Sequence, residues 1–144
     1  MTEGIAMATL FPIEIDTPER RFFEGQVESV ILDTPDGKIG IMAGHRQITS
    51  TLDVGEIAML QDGEWKHAFC SAGFFIVLDG KLTIMAQTVE WPEEIDVRRA
   101  KEALERAEEA LRQKQSIREY MLSKASMARA MARLRVTNQH NVNN

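Results

Sequence analysis

Apolar and polar residues alternate along the first two thirds of the chain with the period of half-buried β-strands. From Phe11 to Asp16 every second residue is apolar, which predicts a strand with one face in a core. Pro12 assigns this strand to a sheet edge or a bulge, because proline donates no ladder hydrogen bond. The run Phe74 to Leu78 is apolar throughout, which favours a central strand. The remaining predicted strands are Val27 to Asp33, Lys38 to Met42, Glu56 to Leu60, Trp65 to Cys70 and Lys81 to Thr88.

Tight turns separate several of these strands. Three Asp-Gly pairs, Asp36-Gly37, Asp62-Gly63 and Asp79-Gly80, each lie between apolar stretches. Such pairs favour two-residue hairpin turns because both residues tolerate positive φ angles. We therefore predict an antiparallel β-sandwich, or flattened barrel, over residues 7–91.

The periodicity becomes helical after Pro92. Residues 93–136 contain neither glycine nor proline. Glu93, Glu94 and Asp96 suit the positive end of a helix dipole, so we predict that they form the first turn. The apolar residues of this first helix recur every three or four positions, at Ala100, Ala103, Leu104, Ala107, Ala110 and Leu111.

A second helix is predicted from an S-x-x-E capping box formed by Ser116 and Glu119. Two helices joined by a short connection predict an antiparallel hairpin over residues 92–136. The polar residues 137–144 are predicted to form a disordered tail. The apolar positions of the second helix are Ile117, Met121, Ala125, Ala128, Ala132 and Leu134.

Charge divides the chain at the same boundary. Residues 1–90 carry 6 basic and 14 acidic side chains, a formal charge of −8, whereas residues 91–144 carry 11 basic and 8 acidic ones, a charge of +3. The net charge of −5 argues against a general nucleic-acid binder. The change of sign predicts two parts with different electrostatic partners.

Several classes of protein are excluded by what the sequence lacks. The single Cys70 forms no internal disulfide and is predicted to lie in the core, and His45, His67 and His140 lack metal-ligand spacing. No apolar run approaches the ~20 residues of a membrane-spanning helix. No secretory signal is recognised at the start, where Met7 is a second possible initiator. Nucleotide-binding and hydrolase motifs such as the P-loop are absent.

The helical part contains one candidate site. Asp96, Arg99 and Arg106 lie near one face of the first helix, and Arg129 and Arg133 share a face of the second. Folding the helices antiparallel brings Arg99 level with Arg129 and Arg133, with Arg106 ~10 Å along the axis. A multivalent anion between the helices would stabilise this cluster. The ordinary alternative is that Arg99 pairs with Asp96 and that the other arginines are solvated.

Short motifs follow one another in a specific order along nearly the whole chain. They are Thr17-Pro18-Glu19, Phe22-Phe23-Glu24-Gly25, Asp36-Gly37-Lys38-Ile39-Gly40-Ile41, Gly44-His45, Ser71-Ala72-Gly73-Phe74, Leu82-Thr83-Ile84-Met85-Ala86 and Ile95-Asp96-Val97-Arg98-Arg99-Ala100. This ordered set resembles the epsilon subunit of bacterial F-type ATP synthase.

The resemblance implies a β-sandwich followed by a two-helix hairpin and a rotor subunit without catalytic residues. Its partners would be the gamma subunit, the c-ring and the alpha and beta subunits, at the cytoplasmic face of the cell membrane. Lys38 and His45 lie in a loop that is similar to the segment facing gamma and the c-ring. In the family, the hairpin lies folded on the sandwich or extends into the alpha-beta head, where it opposes ATP hydrolysis.

Some members of that family bind ATP in the folded hairpin, as a regulatory ligand rather than a tightly bound cofactor. By resemblance, Ile95, Asp96 and Ala100 would surround adenine and Glu90 would lie near the nucleoside. The arginines would meet the phosphates. The positions that match this site are Glu90, Ile95, Asp96, Arg99, Ala100, Arg106, Arg129 and Arg133.

Two other functions remain open from the sequence. One is a small nucleotide-processing enzyme that uses Asp96 or His45, although no nucleophile or metal set accompanies them. The other is a general adaptor with a basic helical arm for nucleic acid, although that arm lacks interleaved aromatic residues.

Overall fold

The chain folds into a two-sheet β-sandwich followed by a hairpin of two helices, which confirms the predicted fold class. The computed structural model describes residues 9–113 and 115–143. Met1 and Met7, the two possible initiators, lie outside the described residues, as does Asn144. The strands are β1 (Phe11–Asp16), β2 (Arg21–Val27), β3 (Ser29–Thr34), β4 (Gly37–Met42), β5 (Ile48–Leu52), β6 (Gly55–Gln61), β7 (Glu64–Cys70), β8 (Gly73–Leu78), β9 (Lys81–Ala86) and β10 (Val89–Glu90).

One sheet has the strand order β2-β1-β9-β8-β5 and the other β10-β7-β6-β3-β4. Neighbouring strands are antiparallel except β1 and β9, which are parallel. The predicted Asp-Gly turns join β3 to β4, β6 to β7 and β8 to β9. At the last two, Asp62 and Asp79 have φ angles of 53° and 51°, and the following glycines are also positive, as a type I′ turn requires.

The core lies between the two sheets and is built from the inward-facing residues of each strand. Burial of each large apolar side chain contributes ~1.5–3 kcal/mol. Cys70 is 2% exposed, which confirms its predicted core position. The completely buried side chains of this core are Ile13, Ile15, Val27, Val30, Leu32, Ile57, Met59, Ala68, Phe75, Leu82 and Ile84.

Sequence reasoning misplaced several features of the sheets. It missed β2 and β5, which are edge strands with few buried residues. It placed Phe74–Leu78 centrally, but this strand, β8, is second from an edge, and Phe74 and Leu78 are 42% and 46% exposed. Pro12 lies in an interior strand, and the irregularity in the pairing of this strand with β2 falls between Ile15 and Asp16, not at Pro12. Pro12 is tolerated because pairing of β1 with β9 begins only at Ile13.

The helical part consists of a 3-10 turn (Pro92–Glu94), α1 (Val97–Arg112) and α2 (Ile117–Asn143). The prediction that Glu93 and Glu94 form the first turn of α1 was wrong, because they belong to the separate 3-10 turn. The first turn of α1 contains no acidic residue. Instead Asp96 caps the helix, and its Oδ1 accepts a hydrogen bond from the Arg99 backbone N–H at 3.0 Å.

The start of α2 shows one of the two hydrogen bonds of the predicted capping box, since Ser116 Oγ accepts a hydrogen bond from the Glu119 backbone N–H at 3.1 Å. The predicted apolar face of α2 was wrong in its first half. Ile117 and Met121 are 85% and 61% exposed, whereas Ala132 is buried. The six apolar positions predicted for α1 are all buried or half-buried.

Residues 137–143 of the predicted disordered tail continue α2 instead, whereas Asn144 lies outside the described residues. Thr137 is 7% exposed, and its hydroxyl donates a hydrogen bond to the Arg133 carbonyl at 2.9 Å. This hydrogen bond within the helix, and the contact of His140 with Glu93 of the 3-10 turn, support a helical conformation of this polar segment. Within residues 9–113 and 115–143, no helix is both long and apolar enough to span a bilayer.

Candidate functional site

A cavity of about 340 Å³ lies between the two helices and the end of β10. Seven of the eight residues predicted to bind ATP line it. Ile95 does not, because its side chain is 8% exposed in an apolar cluster with Phe69, Ala132 and Val136. The lining residues are Glu90, Glu94, Asp96, Arg99, Ala100, Ala103, Arg106, Ser126, Arg129, Ala130 and Arg133.

Four arginines from facing helices give this cavity its chemistry. Arg99 and Arg106 come from α1, and Arg129 and Arg133 come from α2. Residues spaced by three, four or seven positions share one helix face, so each pair lies on the inward side of its helix. The convergence expected from the sequence is therefore present in the fold.

Arg133 has two partners that belong to the sandwich. Its Nε donates a hydrogen bond to Glu90 Oε1 at 2.7 Å, and its Nη2 lies 3.4 Å from Glu90 Oε2. Its guanidinium carbon lies 4.4 Å from the centre of the Phe69 ring, in cation–π geometry. These contacts fix the orientation of Arg133 while one end of the group borders the cavity.

The other three arginines are not neutralised. The Nη2 of Arg129 donates a hydrogen bond to Ser126 Oγ at 3.2 Å, a neutral partner. Within the described ranges, Arg99 and Arg106 make no ion pair. The ordinary alternative of an Arg99–Asp96 side-chain pair is not formed, because Asp96 caps the backbone instead. Three cations thus face one cavity without carboxylate partners, an arrangement that attracts a polyanion.

Glu94 is another carboxylate that lines the cavity, and it forms an ion pair with Arg20. The Nη2 of Arg20 lies 2.8 and 2.9 Å from the two carboxylate oxygens of Glu94. This hydrogen bond lowers the pKa of Glu94, with the backbone N–H of Trp91 contributing in the same direction. The carboxylate is therefore ionised at neutral pH and leaves the α-helical arginines unpaired.

Four residues that line the cavity were not assigned to the site from the sequence, namely Glu94, Ala103, Ser126 and Ala130. Ala103 and Ala130 could have been found from helical spacing, since each lies on the same face as a predicted arginine. Ser126 could have been found in the same way, three residues before Arg129. The role of Glu94 depends on Arg20, 74 residues away, and no local pattern reveals that contact.

The weaker candidates lie elsewhere. Lys38, on β4, forms an ion pair with Asp33 at 2.8 Å, and His45 follows β4 with its Nδ1 2.8 Å from the Arg46 carbonyl oxygen. His67 lies on β7, as predicted, 3.3 Å from a Glu56 carboxylate oxygen. Among the residues that the structure describes, no group of His, Cys, Asp and Glu has the arrangement of a metal site.

Two family models match this chain. The model of the ATP synthase delta/epsilon chain β-sandwich domain matches residues 10–92. The model of the delta/epsilon chain long α-helix domain matches residues 93–138. Together these matches cover nearly all of the chain.

Curated relatives agree with these matches. The ATP synthase epsilon chain of Caldanaerobacter subterraneus subsp. tengcongensis is 44% identical, and the match covers 93% of this chain and 98% of the relative. That of Ruminiclostridium cellulolyticum is 46% identical over 92% of this chain and 98% of the relative. A chain in a cryo-EM structure of Euglena gracilis mitochondrial ATP synthase has the same fold, with a TM-score of 0.78, 19% identity and coverage of 92% and 84% of the two chains. The chain therefore belongs to the ATP synthase epsilon chain family.

Proposed function

We propose that the folded hairpin binds ATP in the four-arginine cavity and that this binding favours the state in which the hairpin lies on the sandwich. An epsilon chain is a non-catalytic subunit of the central stalk of ATP synthase, so ATP acts here as a regulatory ligand and not as a substrate. This membership also argues against the two alternatives, a nucleotide-processing enzyme and a nucleic-acid adaptor.

The balance of charges in the cavity is the observation that carries the proposal. Two of its carboxylates, Glu90 and Glu94, are paired with Arg133 and Arg20. The third, Asp96, caps α1. Arg99, Arg106 and Arg129 are left for the ligand, and guanidinium groups bind phosphate oxygens in bidentate fashion.

The size and composition of the cavity suit a nucleotide. Its volume of about 340 Å³ falls at the lower end of the ~300–1,000 Å³ that small-molecule sites occupy. Ala100, Ala103 and Ala130 leave room between the helices, because larger side chains there would fill it. We assign the phosphates to the arginines and the adenosine to the end formed by Glu90, Asp96 and Ala100.

Calorimetric titration of the full chain with ATP tests the proposal. We expect Arg99→Ala to weaken binding tenfold or more, since a hydrogen bond to a charged group contributes ~1.5–3 kcal/mol. Arg98→Ala is the matched control, because it removes the same charge from the next residue, whose side chain is 85% exposed and does not line the cavity. Absence of heat at millimolar ATP, or equal losses in both variants, would overturn ATP binding.

We further propose that the protein couples ion-driven rotation of the c-ring to catalysis in the alpha-beta head, and that the extended hairpin opposes ATP hydrolysis. The partners are gamma, the c-ring and the alpha and beta subunits, with Lys38 and His45 near the gamma and c-ring contacts. The basic residues of α2 suit an acidic surface of the head. Association with the membrane is peripheral, at the cytoplasmic face, through the complex.

The inhibitory role is tested with a reconstituted ATP synthase head. Deleting residues 93–144 leaves the β-sandwich strands intact and removes the hairpin. We expect the ATP hydrolysis rate to rise when this truncated chain replaces the full chain. An unchanged rate would contradict inhibition without bearing on ATP binding.

A further inference from the structure

Nearly all residues that line the cavity belong to the hairpin region and not to the sandwich, which limits how ATP could favour the folded state. Of the described residues that line the cavity, Glu90 alone belongs to a strand of the sandwich. The three unpaired arginines, Arg99, Arg106 and Arg129, all belong to the hairpin itself. A hairpin that detached as a unit would carry these three arginines with it.

A ligand shifts an equilibrium only through a difference in affinity between the two states. Contacts to Arg99, Arg106 and Arg129 alone would supply little difference, because they persist when an intact hairpin leaves the sandwich. The difference must come from a cavity residue whose surroundings change on docking. Arg133 meets that requirement, because both of its partners lie on the sandwich.

Phe69 is the less expected of these two partners. It lies on β7 on the side of the sheet away from the sandwich core, and its side chain is fully buried beneath the helices. Its apolar neighbours from the hairpin region are Ile95, Ala132 and Val136. The guanidinium of Arg133 lies 4.4 Å above the ring centre, so the same aromatic side chain contacts both the docked helix and the ligand-binding cation.

We infer that Arg133 couples ligand binding to hairpin docking and that Phe69 is the positioning residue that makes this coupling possible. The inference rests on the proposed function, because it concerns the same cavity. With the hairpin docked, Phe69 lies under the guanidinium and Glu90 accepts its Nε–H, so the group is ordered before a phosphate arrives. With the hairpin detached, Arg133 loses both partners and must be ordered by the ligand.

Coupling of this kind is reciprocal, so docking and ATP strengthen each other by the same factor. Loss of the Phe69 ring should therefore reduce the effect of ATP on docking, beyond any loss of docking itself. Loss of an apolar contact that does not involve Arg133 should weaken docking and leave the effect of ATP unchanged. This difference separates a positioning role from a purely structural one.

The test compares Phe69→Leu with Val136→Ala in the full chain. Val136 is the matched control, because it belongs to the same apolar cluster. The docking equilibrium is measured from the distance between labels at exposed Gln47 on the sandwich side and exposed Arg118 on α2, with and without ATP. We expect both variants to dock less well without ATP, and the ATP-induced change in the docking constant to fall roughly three- to tenfold only in Phe69→Leu.

An unchanged ATP effect in Phe69→Leu would overturn the inference, as would an equal reduction in Val136→Ala. Should Phe69→Leu abolish docking altogether, the wild-type chain supplies a second measurement without ATP. The Nε–H resonance of Arg133 should show the ring-current shift of a proton near an aromatic face, and that of Arg129 should not. Absence of this shift would overturn the role of Phe69, whereas a shifted resonance in a chain that ATP does not affect would overturn the proposed function instead.

Discussion

Arg20 and Glu94 lie 74 residues apart in the chain and connect the sandwich to the 3-10 turn that precedes α1. The Nη2 of Arg20 donates to both carboxylate oxygens, at 2.8 and 2.9 Å, and lies 3.4 Å from the carbonyl oxygen of Val89. The Glu94 carboxylate also accepts the backbone N–H of Trp91 at 2.9 Å. This pair fixes the segment that carries the Asp96 cap, and with it the start of the hairpin.

The Arg20–Glu94 pair should contribute stability at neutral pH and lose that contribution in acid. The pair lowers the pKa of Glu94 in the folded chain. A carboxyl of this kind stabilises the fold above its unfolded pKa of ~4.3, and the contribution disappears as pH falls through the folded value. We expect Arg20→Ala to lower the melting temperature at pH 7, and the difference from wild type to shrink as pH falls below the unfolded pKa of ~4.3.

Thermal unfolding at pH 7 and pH 3.5 checks this expectation. Arg98→Ala is the control, since the side chain of Arg98 is 85% exposed and its Nε lies 3.6 Å from a Glu102 carboxylate oxygen, a longer distance than in the Arg20–Glu94 pair. Exposed pairs of this type contribute little, so its effect should be small at both pH values. A deficit of Arg20→Ala that persists undiminished at pH 3.5 would contradict the assigned cause.

Gly55 should not tolerate a side chain, because it lies directly against the carboxylate of Asp33. That carboxylate accepts the Glu56 backbone N–H at 3.0 Å and the Lys38 ammonium at 2.8 Å, and so links three strands. We expect Gly55→Ala to lower the free energy of unfolding by ~1–3 kcal/mol through overpacking. Gly40→Ala, in β4 with open space around the added methyl group, should change it by less than ~0.5 kcal/mol.

Urea unfolding of both glycine variants gives the two free energies directly. The prediction fails if the two variants lose equal stability. It also fails if Gly55→Ala retains the stability of the wild-type chain.

The parts of the fold that the sequence predicts are those with a strong local pattern. β1 alternates cleanly, and its inward residues Ile13 and Ile15 are completely buried. β2 escaped prediction because only Phe22 and Val27 of its seven residues are buried. The buried face of α2 was predicted only in part: Ala132 is buried as expected, but Val136 was not named, because this face is set by contact with Phe69 on β7 and not by the helix's own periodicity.

In the candidate site too, the features with a local sequence pattern were predicted and those that depend on distant residues were not. Spacing along two helices was sufficient to bring Arg99, Arg106, Arg129 and Arg133 to one cavity. It could not reveal which of these arginines has partners, because those partners lie far away in sequence. Glu90 precedes Arg133 by 43 residues, and Phe69 lies on a strand whose role in the hairpin interface appears only in three dimensions.

The Cys70 thiol should make stability fall as pH rises through the alkaline range. Burial raises its pKa to about 12, and the nearby negative charge of Asp33 acts in the same direction. In the unfolded chain the pKa is ~8.5, so between these values the unfolded chain loses a proton that the folded chain keeps. The Cys70 thiol should therefore lower the free energy of unfolding by up to ~1.4 kcal/mol for each pH unit in this range.

Cys70→Ala isolates this contribution, because all other titrating groups are unchanged. We expect the stability loss between pH 8 and pH 10, measured by urea unfolding with reductant present, to be smaller in the variant than in wild type. Equal losses in both proteins would show that the thiol does not contribute. The same burial predicts that thiol reagents react with Cys70 only after unfolding.

The C-terminal turns of α2 should stabilise the docked hairpin, although their sequence suggested a disordered tail. Thr137 is buried and donates to the Arg133 carbonyl at 2.9 Å, and His140 Nε2 lies 3.4 Å from Glu93 Oε1. The Thr137 hydrogen bond lies within α2 and is kept when the hairpin detaches, so the contribution to docking comes from the burial of Thr137 and from the His140–Glu93 contact, an exposed pair that contributes at most ~1 kcal/mol. We expect deletion of residues 137–144 to lower the docking constant about fivefold, measured with the Gln47 and Arg118 labels. Asn141→Ala is the control, because it changes an exposed side chain of the same segment and keeps Thr137 and His140, and it should dock like wild type. A chain that docks normally without residues 137–144 would mean that the apolar contacts of Phe69 and the Arg133–Glu90 pair suffice for docking.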